Sequence, residues 1–225
     1  MNLAIDIGNT AVKWATFEGK ALSDNGYGMP DELLARADHV LACASGATQH
    51  PTSSIQYLTS SMPLPIRLDY KTPATLGADR IAAACGAWAL HRGEDCLVVD
   101  AGTCITVDFL SADGTYHGGA IMPGLSMSLQ ALHSYTAKLP LISLEGVDKA
   151  PVLGRSTEES ILAGTLGATM LALAGYVALY RQKSPSLHVL LTGGDAPRLS
   201  AAGASGWEEQ PRLTLIGLNE IIEIQ

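Results

Sequence analysis

Leu3-Ala4-Ile5-Asp6-Ile7-Gly8-Asn9-Thr10 with the run Val12 to Phe17, and Leu97-Val98-Val99-Asp100-Ala101-Gly102-Thr103 with the run Ile105 to Phe109, are one device written twice in a single chain. Each reads as an apolar strand ending in a carboxylate, a tight glycine-bearing turn with a threonine, and a second strand that runs back as a hairpin. After the first copy, the pattern predicts a short helix over Asp31–Ala37 and a buried strand over Val40–Ala44. A helix over Pro51–Ser60, an extended stretch from Pro63 toward Asp69 and an alanine-rich helix over Asp79–Leu90 follow. After the second copy come a turn at Asp113-Gly114, a strand at Gly118–Ile121 and a helix at Ser126–Ala137. A long helix over Ser160–Lys183, a buried strand at Leu187–Thr192, a last strand at Leu213–Ile216 and a closing helix at Leu218–Ile224 complete the chain. Hairpins followed by helices and strands in alternation call for a mixed β-sheet flanked by helices, and the restart duplicates it. The expectation is an α/β protein of two related domains, 1–93 and 94–225, with a ligand in the interdomain cleft, because both Asp-x-Gly turns end strands of their sheets.

Composition narrows the partners. Among 225 residues, 47% are apolar and 16% charged, which supplies a dry core and excludes global disorder. The net charge of −8 and the absence of a basic patch argue against nucleic acid, since an acidic surface repels a polyanion. Cys43, Cys85, Cys96 and Cys104 never form a C-x-x-C pair and the histidines show no zinc spacing, so the thiols read as small core residues, reduced in a cytoplasmic protein. Asp6 interrupts the first apolar run too early for a signal peptide. Ser160–Tyr180 carries no charge over a length that could cross a bilayer, but Gly164, Thr165, Gly167, Thr169 and Gly175 lighten one side of it. It therefore reads as a helix sandwiched between layers of a soluble protein.

The chain has neither G-x-x-x-x-G-K-[ST] nor G-x-G-x-x-G, so any nucleotide is held by other means. At Gly8 and Gly102 the missing Cβ lets backbone N–H groups approach phosphate oxygens, and Asn9, Thr10 and Thr103 add neutral donors. Lys13 lies just behind the first turn, placed to neutralise phosphate charge. Asp6 and Asp100 would repel a polyphosphate unless cations sit between, so they read as ligands for Mg²⁺ or a monovalent ion. Either turn alone is equally an ordinary Asx turn. Gly77-Ala78-Asp79-Arg80 places an acid and a base at a helix start. Asp79 is either a helix cap or a general base on a substrate hydroxyl, and Arg80 a bidentate clamp for a substrate carboxylate.

Asp6-Ile7-Gly8-Asn9-Thr10 with Lys13, Gly77-Ala78-Asp79-Arg80, Asp100-Ala101-Gly102-Thr103, Gly118-Gly119-Ala120-Ile121-Met122-Pro123-Gly124 and Thr192-Gly193-Gly194 together resemble type III pantothenate kinase, the CoaX type. The resemblance implies the acetate kinase, sugar kinase, Hsp70 and actin superfamily fold, two ribonuclease H-like domains. It implies phosphate transfer from ATP to the 4′-hydroxyl of pantothenate, the first step of coenzyme A synthesis. It further implies a homodimer and a monovalent cation, K⁺ or NH₄⁺, beside Mg²⁺. Asp6, Ile7, Gly8, Asn9, Thr10, Ala11, Val12 and Lys13 resemble the family's first phosphate segment, with Thr103 its second ATP contact and Asp100 its monovalent-cation ligand. Asp79 matches the proton acceptor, and Gly77, Ala78 and Arg80 the surrounding substrate segment. Tyr70 and Thr157 look like the substrate tyrosine and threonine. Cys104 stands where the family often has alanine, and Ala42–Pro51 departs from its Ser-Ser-Val-Val-Pro type of stretch. The competing readings are another small-molecule kinase of the superfamily and a non-catalytic transcription-accessory protein on the same scaffold.

Overall fold

The computed structural model describes residues 1–45 and 54–225. The chain packs as two compact units. The first comprises Met1–Cys96, Asp108–Gly118 and Arg212–Gln225, and the second comprises Leu97–Val107 and Gly119–Pro211.

The opening hairpin is β1 (Asn2–Ile7) and β2 (Val12–Glu18), and it continues into β3 (Ala21–Tyr27), an edge strand whose polar, exposed sequence carries no period-2 signal. After a single helical turn, α1 (Asp31–Leu34), shorter than expected, β4 (His39–Ala44) lies parallel to β1, with Asp6 opposite Cys43. The helix expected over 51–60 begins outside the described residues, as does most of the departing segment 42–51. From residue 54 the chain instead forms β5 (Gln56–Tyr57), parallel to β4. The first sheet thus runs β3-β2-β1-β4-β5. Its core joins Leu3, Ile5, Ile7, Ala42 and Ile55, with Val12, Trp14, Leu33 and Val40 packed against them.

In the second sheet, β6 (Arg67–Leu68), β7 (Cys96–Ala101), β8 (Cys104–Leu110), β9 (Thr115–Pro123), β10 (His188–Thr192) and β11 (Glu208–Glu209) take the order β11-β10-β7-β8-β9-β6. The expected alanine-rich helix is α2 (Ala78–Leu90), and α3 (Leu125–Ser134) follows β9. Three of the cysteines are buried as expected, but Cys104, the first residue of β8, is exposed.

The long helix is interrupted. α4 (Thr157–Leu162) passes through a π turn at Ala163–Gly167 into α5 (Ala168–Lys183). Thr165 returns its hydroxyl to the Ile161 carbonyl at 2.8 Å, a back-bond that competes with the ordinary ladder. Thr157–Lys183 is long and apolar enough to cross a membrane (mean hydropathy 1.7), and 33% of that window is buried. Leu173 and Val177 face inward, but Leu171 (73% exposed) and Leu179 (60% exposed) face out. Among the described residues, the covering layer expected on both sides is therefore present on one side only. A further helix, α6 (Ala196–Ala202), follows β10.

The last strand expected at Leu213–Ile216 is helix: α7 spans Leu213–Ile222. An apolar run reads as a buried strand or a buried helix, and here burial on all sides hid the helical period. α7 packs against α2 at two glycines. A Cβ on Gly217 would strike the Ala82 carbonyl oxygen, and one on Gly86 the Leu213 carbonyl oxygen, so the two backbones meet where no other residue fits. Around this crossing α7 brings a buried carboxylate, Glu220, to Lys20 (3.1 Å) and Arg92 (2.5 Å). Asn219 donates to the Gly19 carbonyl at 2.9 Å and accepts from Asn2 at 3.0 Å. Gly217→Ala is expected to cost about 3 kcal/mol or more in urea unfolding, because overpacking here meets rigid backbone rather than a mobile side chain. An unfolding midpoint equal to the parent's would show that the helices do not touch there.

Candidate active site

The β1–β2 turn is closed by Gly8 N–H donating to the Ala11 carbonyl at 3.1 Å. Asn9, Thr10 and Ala11 stand exposed at its tip, whereas the Ile7 side chain belongs to the core and leaves only its backbone to the turn. Asp6 and Lys13 are partners across the hairpin, so their side chains share a face. Asp6 is partly buried and accepts from the Cys43 thiol at 3.4 Å. Burial raises its proton affinity above the ordinary carboxylate range. Cys43 and Lys13 offset part of that, and the nearby charge of Asp79 adds to it. A partly buried carboxylate with excess proton affinity and a second carboxylate beside it is a fit for a cation.

Asp79 sits in the first turn of α2, where Gly77 is the N-cap. Its Oδ1 accepts from the Arg80 backbone N–H at 2.8 Å, and a Cβ on Gly77 would collide with that oxygen. The capping and chemical readings of Asp79 are therefore compatible: one oxygen is anchored over the helix terminus, and Gly77 makes room for that rotamer.

Arg80 is buried, and its guanidinium is already engaged. Nε reaches both Asp108 oxygens (3.1 and 3.2 Å) and Nη2 reaches Oδ1 at 2.5 Å. Tyr116 Oη donates to the same Oδ1 at 2.7 Å, and the Tyr70 ring lies 5.9 Å from the Arg80 Cζ. Burial works against the Arg80 charge, but hydrogen bonding and the charge of Asp108, with a smaller contribution from a hydrogen bond to Tyr70, outweigh it and hold the proton even more firmly than usual. Tyr70, Gly77, Ala78, Asp79 and Arg80 thus gather within the first unit. Asp108 and Tyr116 were missed from sequence. The signal was a single carboxylate in the apolar strand Ile105 to Leu110, a position that demands a buried partner.

In the second unit, Gly102 N–H donates to the Cys104 carbonyl at 3.0 Å and closes the Asp100–Thr103 turn. Gly124 N–H donates to the Thr103 carbonyl (3.1 Å) and Asp195 N–H to the Ala101 carbonyl (2.9 Å). Gly193, at φ 95°, lies so close that a Cβ would strike Asp100 Oδ1. The motifs Pro123-Gly124 and Thr192-Gly193-Gly194 therefore pack directly on the second turn. Thr157 lies elsewhere in this unit, after the N-cap Ser156, which accepts from Glu159 N–H at 3.1 Å. Glu159 in turn accepts from Arg155 N–H at 2.6 Å. Thr157, Arg155, Ser160 and Leu132 line an open cavity of about 770 Å³.

Two mixed sheets flanked by helices, each with its Asp-x-Gly turn, make this a protein of the acetate kinase, sugar kinase, Hsp70 and actin fold. Solved structures of that shape include a Sinorhizobium meliloti chain assigned as a 2-dehydro-3-deoxygalactonokinase (15% identity, TM-score 0.58, covering 100% of this chain and 96% of that one). A Campylobacter jejuni chain assigned to the Baf family of transcriptional activators has the same shape (20% identity, TM-score 0.60, covering 99% and 97%). The chain belongs to the type III pantothenate kinase family, whose model matches residues 34–179. It is 38% identical to the type III pantothenate kinase of Bacteroides fragilis across 99% of this chain and 97% of that protein.

Because Asp6 binds its proton more tightly folded than unfolded, its ionisation opposes folding. The loss develops as pH rises above the ordinary carboxylate range and through the raised folded value. Asp6→Asn is thus expected to raise the melting temperature of the ligand-free protein at neutral pH and, on the ATP-site reading proposed below, to lower kcat/KM for ATP by at least about 10²-fold. Thermal melts paired with kinetics check this, and a variant that melts lower than its parent would contradict the electrostatic account.

Proposed function

We propose that this chain transfers the γ-phosphoryl group of ATP to the 4′-hydroxyl of pantothenate, giving ADP and 4′-phosphopantothenate, the first step of coenzyme A synthesis. The observation that carries the reading is Asp79, a carboxylate anchored by one oxygen over the start of α2, next to the buried guanidinium of Arg80. Asp79 accepts the hydroxyl proton as the oxygen forms its bond to the γ-phosphorus. The bond from that phosphorus to the β–γ bridging oxygen breaks, and ADP carries away the electron pair. Arg80, with Tyr70, Gly77, Ala78 and Thr157, binds pantothenate. Residues Asp6–Lys13, through turn amides and the Lys13 ammonium, and Thr103, through its hydroxyl, bind phosphates. Alignment and charge neutralisation are most of what phosphoryl transfer needs.

Asp6 fits Mg²⁺ and Asp100 a monovalent cation, K⁺ or NH₄⁺, each cation neutralising phosphate charge when bound. The outward Leu171 and Leu179 support a homodimer through the helix Thr157–Lys183. An acidic chain making a soluble metabolite fits a cytoplasmic enzyme that binds neither nucleic acid nor membrane.

A coupled ADP-release assay is expected to show pantothenate-dependent turnover, with Asp79→Asn folded normally and reduced at least about 10²-fold in kcat. Parental turnover by Asp79→Asn would remove Asp79 as the base. Replacing K⁺ by Na⁺ at constant ionic strength is expected to reduce the rate, and indifference to the swap would remove the assigned role of Asp100.

A further inference from the structure

We propose that Asp108 and Tyr116 are positioning residues for recognition of the substrate acid: they fasten one edge of the Arg80 guanidinium and thereby aim its other edge at the carboxylate. The proposal rests on the reading of Arg80 as a pantothenate ligand. A guanidinium offers five N–H groups in a rigid plane, grouped into a side-on fork (Nε and one Nη) and an end-on fork (both Nη). Asp108 takes the side-on fork, through Nε at 3.1 and 3.2 Å and Nη2 at 2.5 Å. A second carboxylate can therefore pair bidentately only at the end-on fork, in the same plane.

The support for this edge is itself supported. Asp108 is 2% exposed on β8, and Tyr116, fully buried on β9, donates to its Oδ1 at 2.7 Å. Burial and the Asp108 charge push the Tyr116 phenol well above its usual range, so it stays protonated and keeps donating. Tyr70, its ring 5.9 Å from the Arg80 Cζ and 6.0 Å from the Tyr116 ring, is also hydrogen-bonded to the guanidinium and limits it from another side. A buried ion pair contributes little net stability compared with apolar residues of the same volume. What it does supply here is one fixed orientation of a long, otherwise rotamer-rich side chain.

The test is steady-state kinetics of the full chain with pantothenate and ATP varied separately, alongside thermal melts, for Asp108→Asn and Tyr116→Phe. Asp108→Asn is expected to raise the pantothenate KM about tenfold or more, and Tyr116→Phe about threefold, with the ATP KM within about twofold of the parent in both. A pantothenate KM that stays put while the melting temperature falls would make the pair merely structural and overturn the proposal, as would equal shifts in both KM values. If Asp108→Asn does not fold, Tyr116→Phe decides by the same criterion. A parent enzyme without pantothenate-dependent turnover overturns the reading of the reaction and this proposal together. An active parent with unchanged variants overturns the positioning role alone.

Discussion

The contact between α2 and α7 is the constraint on which the first unit depends. Gly86 and Gly217 let the two helix backbones approach until carbonyl oxygens occupy the space of the missing Cβ atoms. α2 also begins with Asp79 and Arg80, the residues proposed to meet the substrate, so the depth at which it seats is set a few turns away from them. A phosphoryl acceptor must be placed to within fractions of an ångström. A rigid backbone-to-backbone contact transmits that accuracy better than a stack of adaptable side chains.

Carboxylates removed from water within this unit meet two different fates. Glu220 is shared by Lys20 and Arg92, and Asp108 holds both a guanidinium and a phenol. Each such charge is compensated inside the chain. Asp6 instead has its proton affinity raised by burial and by the like-charged Asp79, and its thiol donor and the facing Lys13 offset only part of that rise. The difference sorts the groups physically: compensated carboxylates fix geometry, and the incompletely compensated one is suited to an external cation.

What was legible in the sequence was local. The two Asp-x-Gly turns and α2 rest on residues adjacent in the chain, and they formed where their turn chemistry and helix propensity placed them. Elements governed by surroundings were not legible. β3 is polar and exposed, and exists because β2 offers it an edge; α7 lost its amphipathic period by being buried all round. The site shows the same division. Asp79 beside Gly77 could be singled out from four consecutive residues, whereas the Arg80 partner lies on a strand far along the chain and only the fold identifies it. For that reason the Arg80 fork reads from sequence as wholly devoted to substrate, when one of its edges is already occupied.

The place of α7 has a consequence for biogenesis. Of these 225 residues it emerges last from the ribosome, yet it completes the unit that contains the first strand made. Until it arrives, the nascent chain carries the apolar surface of α2 and the β1–β4 sheet without the helix that covers it. That interval leaves apolar surface uncovered and invites aggregation of the half-built unit. A chaperone able to shield a half-built sheet would have its longest opportunity on this part of the molecule.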